Sequence, residues 1–141
     1  MSPKKLSETS VAADGNAVTD SNGVPAVVYF DGSRSWLVRH TGTLQGPEEI
    51  WEGGVAALAA DGAGALAVAT FPDIAMRLPD GRWRRTSMPA SPGSTITRLA
   101  LAGRPGAGFV ACWVEAGEGQ LSYAVASVDA AGNAGPRSLL G

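Results

Sequence analysis

The stretch Leu58–Phe71 reads LAADGAGALAVATF, and it contains the unit from which the chain is built. Two apolar runs flank Asp61–Gly64, where Gly62 and Gly64 permit the positive φ angles of a tight turn. The second run is apolar on both faces of an extended strand, which predicts a strand covered by protein on both sides. Its small alanines would let a neighbouring sheet approach closely. We therefore expect this run, through Phe71, to be the most buried strand of its sheet.

Two other stretches repeat the arrangement, Val18–Phe30 (VTDSNGVPAVVYF) and Leu99–Trp113 (LALAGRPGAGFVACW). Asp61 follows Asp20 by 41 residues, and the third stretch begins 41 residues after the second. Self-similarity at about 40–45 residues is the period of one propeller blade. The sequence thus predicts an all-β chain of about three four-stranded antiparallel blades of a β-propeller.

The repeat also divides the chain. It predicts a flexible N-terminal arm at 1–10 and a single β-repeat domain at 11–141, with blades at about 11–54, 55–95 and 96–141. In the first blade, the predicted strands are Ala26–Phe30, Trp36–His40 and Glu48–Trp51, and the predicted turns are Asp20–Gly23, Asp31–Ser33 and Gly42–Gly46.

A β-sandwich is the alternative fold. Strands of a sandwich usually have one face in water and therefore alternate polar with apolar residues. The second strand of each repeat is apolar on both faces, which favours blades that are covered on both sides. Three blades are too few to close a ring, so we expect either a partial propeller or a ring closed by oligomerisation, most simply a homodimer.

Composition excludes several classes of function. Hydrophobic residues make up 45% of the chain, which argues against disorder, and the net charge of −2 gives no electrostatic basis for binding nucleic acid or an anionic membrane. One cysteine, Cys112, excludes an internal disulfide, and one histidine, His40, excludes a histidine-rich metal site. We expect no metal and no cofactor. No apolar run is long enough to span a bilayer, and Met1–Ser10 lacks the apolar core of a secretory signal, so the compartment stays open.

The runs Asp20–Gly32 (DSNGVPAVVYFDG) and Gln45–Ile50 (QGPEEI) resemble the repeats of sialidase-like (BNR-type) β-propellers. The hallmark of that family is the Asp-box, Ser/Thr-x-Asp-x-Gly-x-x-Trp. Asp80–Trp83 and Asp31–Trp36 are similar to it, but they lack its serine or threonine and its spacing. The resemblance implies a propeller, and it makes a subunit or fragment of a sialidase-like glycoside hydrolase one alternative.

No catalytic set emerges from the residues themselves. Arg82 and Arg84 fall on one face of a strand and Arg85 on the other, while Glu48 and Glu49 point to opposite faces, so neither group converges on a cleft. A non-catalytic binding or interaction module, with a glycan or protein ligand, is the function that we expect. A purely structural repeat segment is a further alternative. The candidate ligand-binding residues are Trp36, Trp51, Trp83, Arg82 and Arg84. The three tryptophans have polar neighbours and could offer partly exposed rings, although a buried tryptophan at a blade interface is the more common outcome.

Overall fold

The structure, a computed structural model, describes residues 14–117 and 119–140, and these fold into three four-stranded antiparallel sheets with no helix among them. The predicted arm at 1–10 lies outside the described residues. The first sheet consists of β1 (Asp14–Thr19), β2 (Pro25–Phe30), β3 (Arg34–His40) and β4 (Leu44–Glu52). The second consists of β5 (Ala57–Ala60), β6 (Leu66–Thr70), β7 (Asp73–Arg77) and β8 (Trp83–Ser87). The third consists of β9 (Thr95–Gly103), β10 (Phe109–Gly117), β11 (Gln120–Val128) and β12 (Ser138–Leu140). The all-β prediction with three four-stranded sheets is confirmed.

Strands that follow one another in the chain are neighbours in every sheet. The turn predicted at Gly42–Gly46 is shorter than expected, because β4 already begins at Leu44, which pairs with His40. Gly46 instead lies inside β4 with a φ of 104°, where the pairing of β3 with β4 shifts register. A glycine is needed at this irregularity since few other residues adopt a positive φ. No helix in the described part of the chain is long and apolar enough to cross a membrane.

The second sheet lies between the other two. One of its faces packs with the first sheet through Leu66, Val68 and Ala75, in a cluster that includes Val28 and Leu37. Its other face packs with the third sheet, in a cluster of alanines, Ile74, Met76 and side chains of β10 and β11. The first strands of successive sheets, β1, β5 and β9, contact one another in that order.

The alanine row behaves as the sequence predicts. Ala65, Ala67 and Ala69 are buried and face the third sheet, and β6 is buried on both faces as far as Ala69. The expectation that the buried strand continues through Phe71 is wrong, because Phe71 lies beyond the end of β6 and is 40% exposed. Small side chains in β6 therefore let the second and third sheets pack closely.

We expect Ala67→Phe to lower the free energy of unfolding by about 1–3 kcal/mol, because Ala67 has no exposed surface and a larger side chain must push the two sheets apart. Arg82→Phe is the control, since the Arg82 side chain is 78% exposed, and its effect should stay within about 0.5 kcal/mol. Urea unfolding of both variants checks this. Equal shifts of the two midpoints would mean that the assignment of buried and exposed positions is wrong.

Each sheet has a five-residue loop between its first two strands, closed by a backbone bond from the N–H of the first residue to the carbonyl of the fifth. These loops are 20–24, 61–65 and 104–108. In the first two, the leading aspartate also accepts the N–H groups of the third and fifth residues, at 2.8–2.9 Å. The third loop begins with Arg104 and has no such carboxylate. Its fifth residue, Gly108, instead donates its N–H to the other carboxylate oxygen of Asp61, at 2.8 Å. One carboxylate thus stabilises loops of two sheets.

The second and third sheets also meet through backbone alone. A Cβ atom on Gly103 would lie 1.7 Å from the carbonyl oxygen of Ala60, and one on Gly62 would lie 1.5 Å from that of Pro105. Gly62 also donates its N–H to the Arg104 carbonyl, at 2.7 Å. The expectation that Gly62 supplies a positive φ is wrong, since of the two glycines only Gly64 does so, at 93°. Gly62 is needed because no side chain fits there.

Candidate functional site

A polar cleft of about 460 Å³ opens at one end of the third sheet. Three separate segments form it: the connection between the second and third sheets, the end of the β10–β11 hairpin, and the residue before β12. We call it the polar cleft, and its lining residues are Ser91, Pro92, Gly93, Ser94, Glu115, Gly117, Gln120, Ser122 and Arg137.

A buried ion pair fixes the shape of the polar cleft. Glu115, which is 4% exposed, accepts two hydrogen bonds from the Arg137 guanidinium, both at 2.8 Å. The Trp113 indole N–H and the Ser91 backbone N–H donate to the same carboxylate, at 2.9 and 3.1 Å. Because these donors come from β10, from the 91–94 connection and from the segment before β12, the carboxylate ties the three segments together.

Burial alone would raise the pKa of Glu115. The hydrogen bonds from Arg137, Trp113 and the Ser91 backbone outweigh that cost, so the pKa of Glu115 lies below its ordinary value of 4.5. The carboxylate is therefore ionised at neutral pH, and its charge is matched by Arg137.

Glu115→Gln should lower the free energy of unfolding by about 1–3 kcal/mol at pH 7, because it leaves Arg137 without its charged partner. A lowered pKa in the folded protein means that the stabilisation is fully present above the ordinary pKa and is lost as pH falls through the folded value. Wild type and variant should thus differ by a constant amount above about pH 5 and converge below it. Urea unfolding at pH 7 and pH 3.5 measures this difference, in which other titrating carboxylates cancel. A difference that grows on acidification would contradict the assignment.

Around this ion pair, the polar cleft presents side chains without internal partners. Within the described residues, the hydroxyls of Ser91, Ser94 and Ser122 and the amide of Gln120 make no hydrogen bond to other protein groups. Hydroxyls both donate and accept, and an amide offers two donors and one acceptor. The arrangement therefore offers neutral hydrogen-bond donors and acceptors that can pair with hydroxyl groups.

The sequence-predicted binding residues are not brought together in this cleft. Trp51 is 4% exposed and lies buried between the first and second sheets, which is the more common outcome for such a tryptophan, and the Arg85 guanidinium lies 5.2 Å from the centre of its ring. Trp83 packs in the same interface and donates its indole N–H to Glu48 at 3.0 Å. Trp36 is half-buried on the opposite face of the first sheet and donates to Asp31 at 2.9 Å.

Of the two arginines, Arg84 lies on β8 and Arg82 lies just before it. Arg82 is exposed and pairs with Asp80 at 2.8 Å. Arg84 is exposed, with its aliphatic stem beside Gly132 in the loop between β11 and β12. Arg84 faces the side of β8 opposite to Arg85, as the alternation of the strand predicts, and Arg82 lies just before the strand begins. The five residues are thus spread over three surfaces and do not form one site.

Glu48, like Glu115, accepts hydrogen bonds from an arginine and a tryptophan. It lies on β4 and accepts hydrogen bonds from Arg77 and Trp83 of the second sheet, at 3.1 and 3.0 Å. Burial raises its pKa, but the bonds from Arg77 and Trp83 outweigh this and leave the pKa lowered. Glu48 therefore joins the first and second sheets.

No group of three or more histidine, cysteine, aspartate or glutamate side chains among the described residues is placed to hold a metal ion. Comparison of the chain with family models, with curated proteins and with solved structures finds no match.

Proposed function

We propose that the chain is a non-catalytic binding module built of three propeller-type blades, and that its polar cleft binds a glycan through hydroxyl groups. The observation that carries the proposal is the set of unpartnered hydroxyl and amide side chains around the Glu115–Arg137 pair.

Propeller-type blades are supported by three features of the fold. The sheets are four-stranded, follow one another in the chain, and have their strands in sequence order. Their first strands contact one another as strands around a common axis would. The second sheet is covered on both faces.

A glycan is favoured over a protein ligand by the size and chemistry of the polar cleft. Its volume of about 460 Å³ falls in the range of small-molecule sites. Its lining offers serine hydroxyls and the Gln120 amide, and the charge of Arg137 is already matched by Glu115. This combination suits a neutral sugar better than an anionic one.

Binding without hydrolysis is supported by the state of Glu115. Hydrolysis of glycosides usually requires two carboxyl groups that face each other across the bond to be cleaved, one of them protonated. Glu115 is the one carboxylate among the described lining residues of the polar cleft, its pKa is lowered, and it accepts four hydrogen bonds.

A glycan array probed with the purified chain tests the proposal, followed by calorimetry on any sugar that binds. The double variant Gln120→Ala/Ser122→Ala should weaken binding about tenfold, because it removes two neutral hydrogen-bonding groups. Thr41→Ala, at an exposed turn of the first sheet, should leave binding unchanged. An array without a bound sugar would overturn the glycan proposal and favour a protein ligand or a structural role. Release of a fluorogenic sugar, lost in Glu115→Gln, would overturn the absence of catalysis.

A further inference from the structure

The face of the third sheet that points away from the second sheet is apolar and open. We call it the outer face of the third sheet; across β9 to β12 it carries Arg98, Ala100, Ala102, Val110, Cys112, Val114, Leu121, Tyr123, Val125, Ser127, Ser138 and Leu140. Leu121, Tyr123 and Leu140 are 70%, 57% and 52% exposed. A groove of about 460 Å³ runs across this face beside Cys112 and Tyr123. Exposed apolar side chains in such a contiguous set mark an interaction surface.

The loop positions show which surface this is. Asp61 and Arg104 begin equivalent loops, so Ala67 and Ala69 of β6 correspond to Val110 and Cys112 of β10. On β5, the first strand of the second sheet, Ala59 pairs with Ala67 and Ala57 pairs with Ala69. On β9, the first strand of the third sheet, Ala102 pairs with Val110 and Ala100 pairs with Cys112. The loops and the strand pairing therefore give the same correspondence between the second and third sheets.

Small residues at equivalent positions are therefore buried in the second sheet and exposed in the third. In the second sheet, Ala59 is buried under the third sheet. In the third sheet, its counterpart Ala102 is exposed. In the first and second sheets, the face equivalent to the outer face of the third sheet is covered by the next sheet in the chain.

We propose that the outer face of the third sheet binds the first sheet of a second copy of this chain. The reciprocal contact, made by the second copy, closes two chains into one ring of six sheets. The contact surface on the first sheet is its face away from the second sheet, which we call the outer face of the first sheet. It carries half-buried Val27 and Trp36, with Tyr29 and Val38 buried between them.

Equivalence of position supports a second copy as the occupant. Val27 corresponds to Val68 of the second sheet and Ala111 of the third, by the same loop alignment. Both of those residues pack against the preceding sheet. The outer face of the first sheet is therefore the surface that would meet a preceding sheet, and within two chains the preceding sheet is the third sheet of the partner.

Charge supports the same pairing. The outer face of the third sheet carries Arg98, and Arg104 reaches over it to donate to Ser127, with no acidic residue on this face of its strands. On the described strands of the first sheet, the outer face carries Glu49 and Glu52, and Arg34 is its one arginine or lysine. Opposite net charges on the two surfaces favour their contact and oppose self-pairing of either one.

Light scattering at micromolar concentration tests the proposal. We expect the chain to have twice the mass of one copy. Val125→Glu, on the outer face of the third sheet, and Trp36→Glu, on the outer face of the first, should each weaken dimerisation about a hundredfold because each buries an unpaired charge at a junction. Thr41→Glu lies outside both surfaces and should remain a dimer. If Trp36→Glu fails to fold by circular dichroism, Val27→Lys at the same surface replaces it.

Oxidation of the single cysteine separates the two ways in which a dimer can form. In the proposed ring, Cys112 faces the first sheet of the partner, which has no cysteine, so oxidation should give no covalent dimer. A covalent dimer, or a dimer that survives Trp36→Glu, would mean that two third sheets pair with each other and would overturn the proposal. A monomeric wild type would overturn it as well. None of these outcomes depends on whether the polar cleft binds a sugar.

Discussion

Gly103→Ala is expected to lower the free energy of unfolding by about 3–5 kcal/mol, which is a large effect for the addition of one methyl group. The Cβ atom would lie 1.7 Å from the Ala60 carbonyl oxygen and 2.4 Å from its carbon. Both are backbone atoms of β5, so no side-chain rotation can relieve the overlap. The third sheet must move away from the second, and the packing against the alanine row is lost with it.

Gly106→Ala is the matched control for Gly103→Ala. Gly106 lies in the hairpin that follows β9, no atom lies within 4 Å of the position of its Cβ, and its φ is outside the left-handed region. Alanine there should be neutral or slightly stabilising, since it restricts the unfolded chain. Thermal unfolding of the two variants provides the comparison. Identical midpoints would show that the two sheets do not approach each other as closely as described.

Asp61→Ala should also cost about 3–5 kcal/mol, because it removes the acceptor of three backbone N–H groups at once. Those of Ala63 and Ala65 belong to the loop of Asp61 itself, and that of Gly108 belongs to the third sheet. Asp61 is only 4% exposed, so water cannot easily replace the carboxylate. Urea unfolding measures the loss.

Asp129→Ala removes the same kind of side chain from an open position. Asp129 accepts the N–H groups of Ala131 and Asn133 in the exposed loop before β12, where water can replace the carboxylate, so the loss of stability should be much smaller than for Asp61→Ala. Asp61→Asn should lie between the two, because its single carbonyl oxygen cannot serve both loops. If Asp61→Ala were as mild as Asp129→Ala, the carboxylate would not be joining two sheets.

The regular parts of the fold could be predicted because local chemistry determines them. Asp20–Gly23 and Asp61–Gly64 combine an aspartate that accepts backbone N–H groups with a glycine at a positive φ, and both form turns between the expected strands. The apolar residues on both faces of β6 correctly predicted its coverage on both sides.

The junction between sheets could not be predicted in the same way. Gly62 and Gly103 lie in a glycine-rich sequence where each looks like a turn residue, yet neither has a positive φ. Their role depends on backbone atoms about 40 residues away in the chain, such as Pro105 for Gly62, and no local pattern reports such a contact.

The polar cleft escaped prediction for a related reason. Its parts come from 91–94, 115–122 and Arg137, with no spacing that resembles a known motif. Tryptophans with polar neighbours were instead the candidates for a ligand-binding surface. In the structure, the carboxylates near Trp36, Trp83 and Trp113 accept their indole N–H groups, so the polar neighbours of these tryptophans are their hydrogen-bond partners.

The carboxylate shared between Asp61 and Gly108 has a consequence for engineering the chain by duplication or reordering. The second unit has a carboxylate, that of Asp61, which can accept an N–H group from the unit that follows it. The third unit has no such carboxylate, since its loop begins with Arg104, and it depends on the unit before it. Two second units in tandem would each be self-sufficient, whereas a third unit placed after another third unit would leave the Gly108 N–H without its acceptor. The repeats are similar in shape, but the third depends on a side chain of the second and the second does not depend on the third in this way. The order in which the units are joined therefore contributes to the stability of the protein.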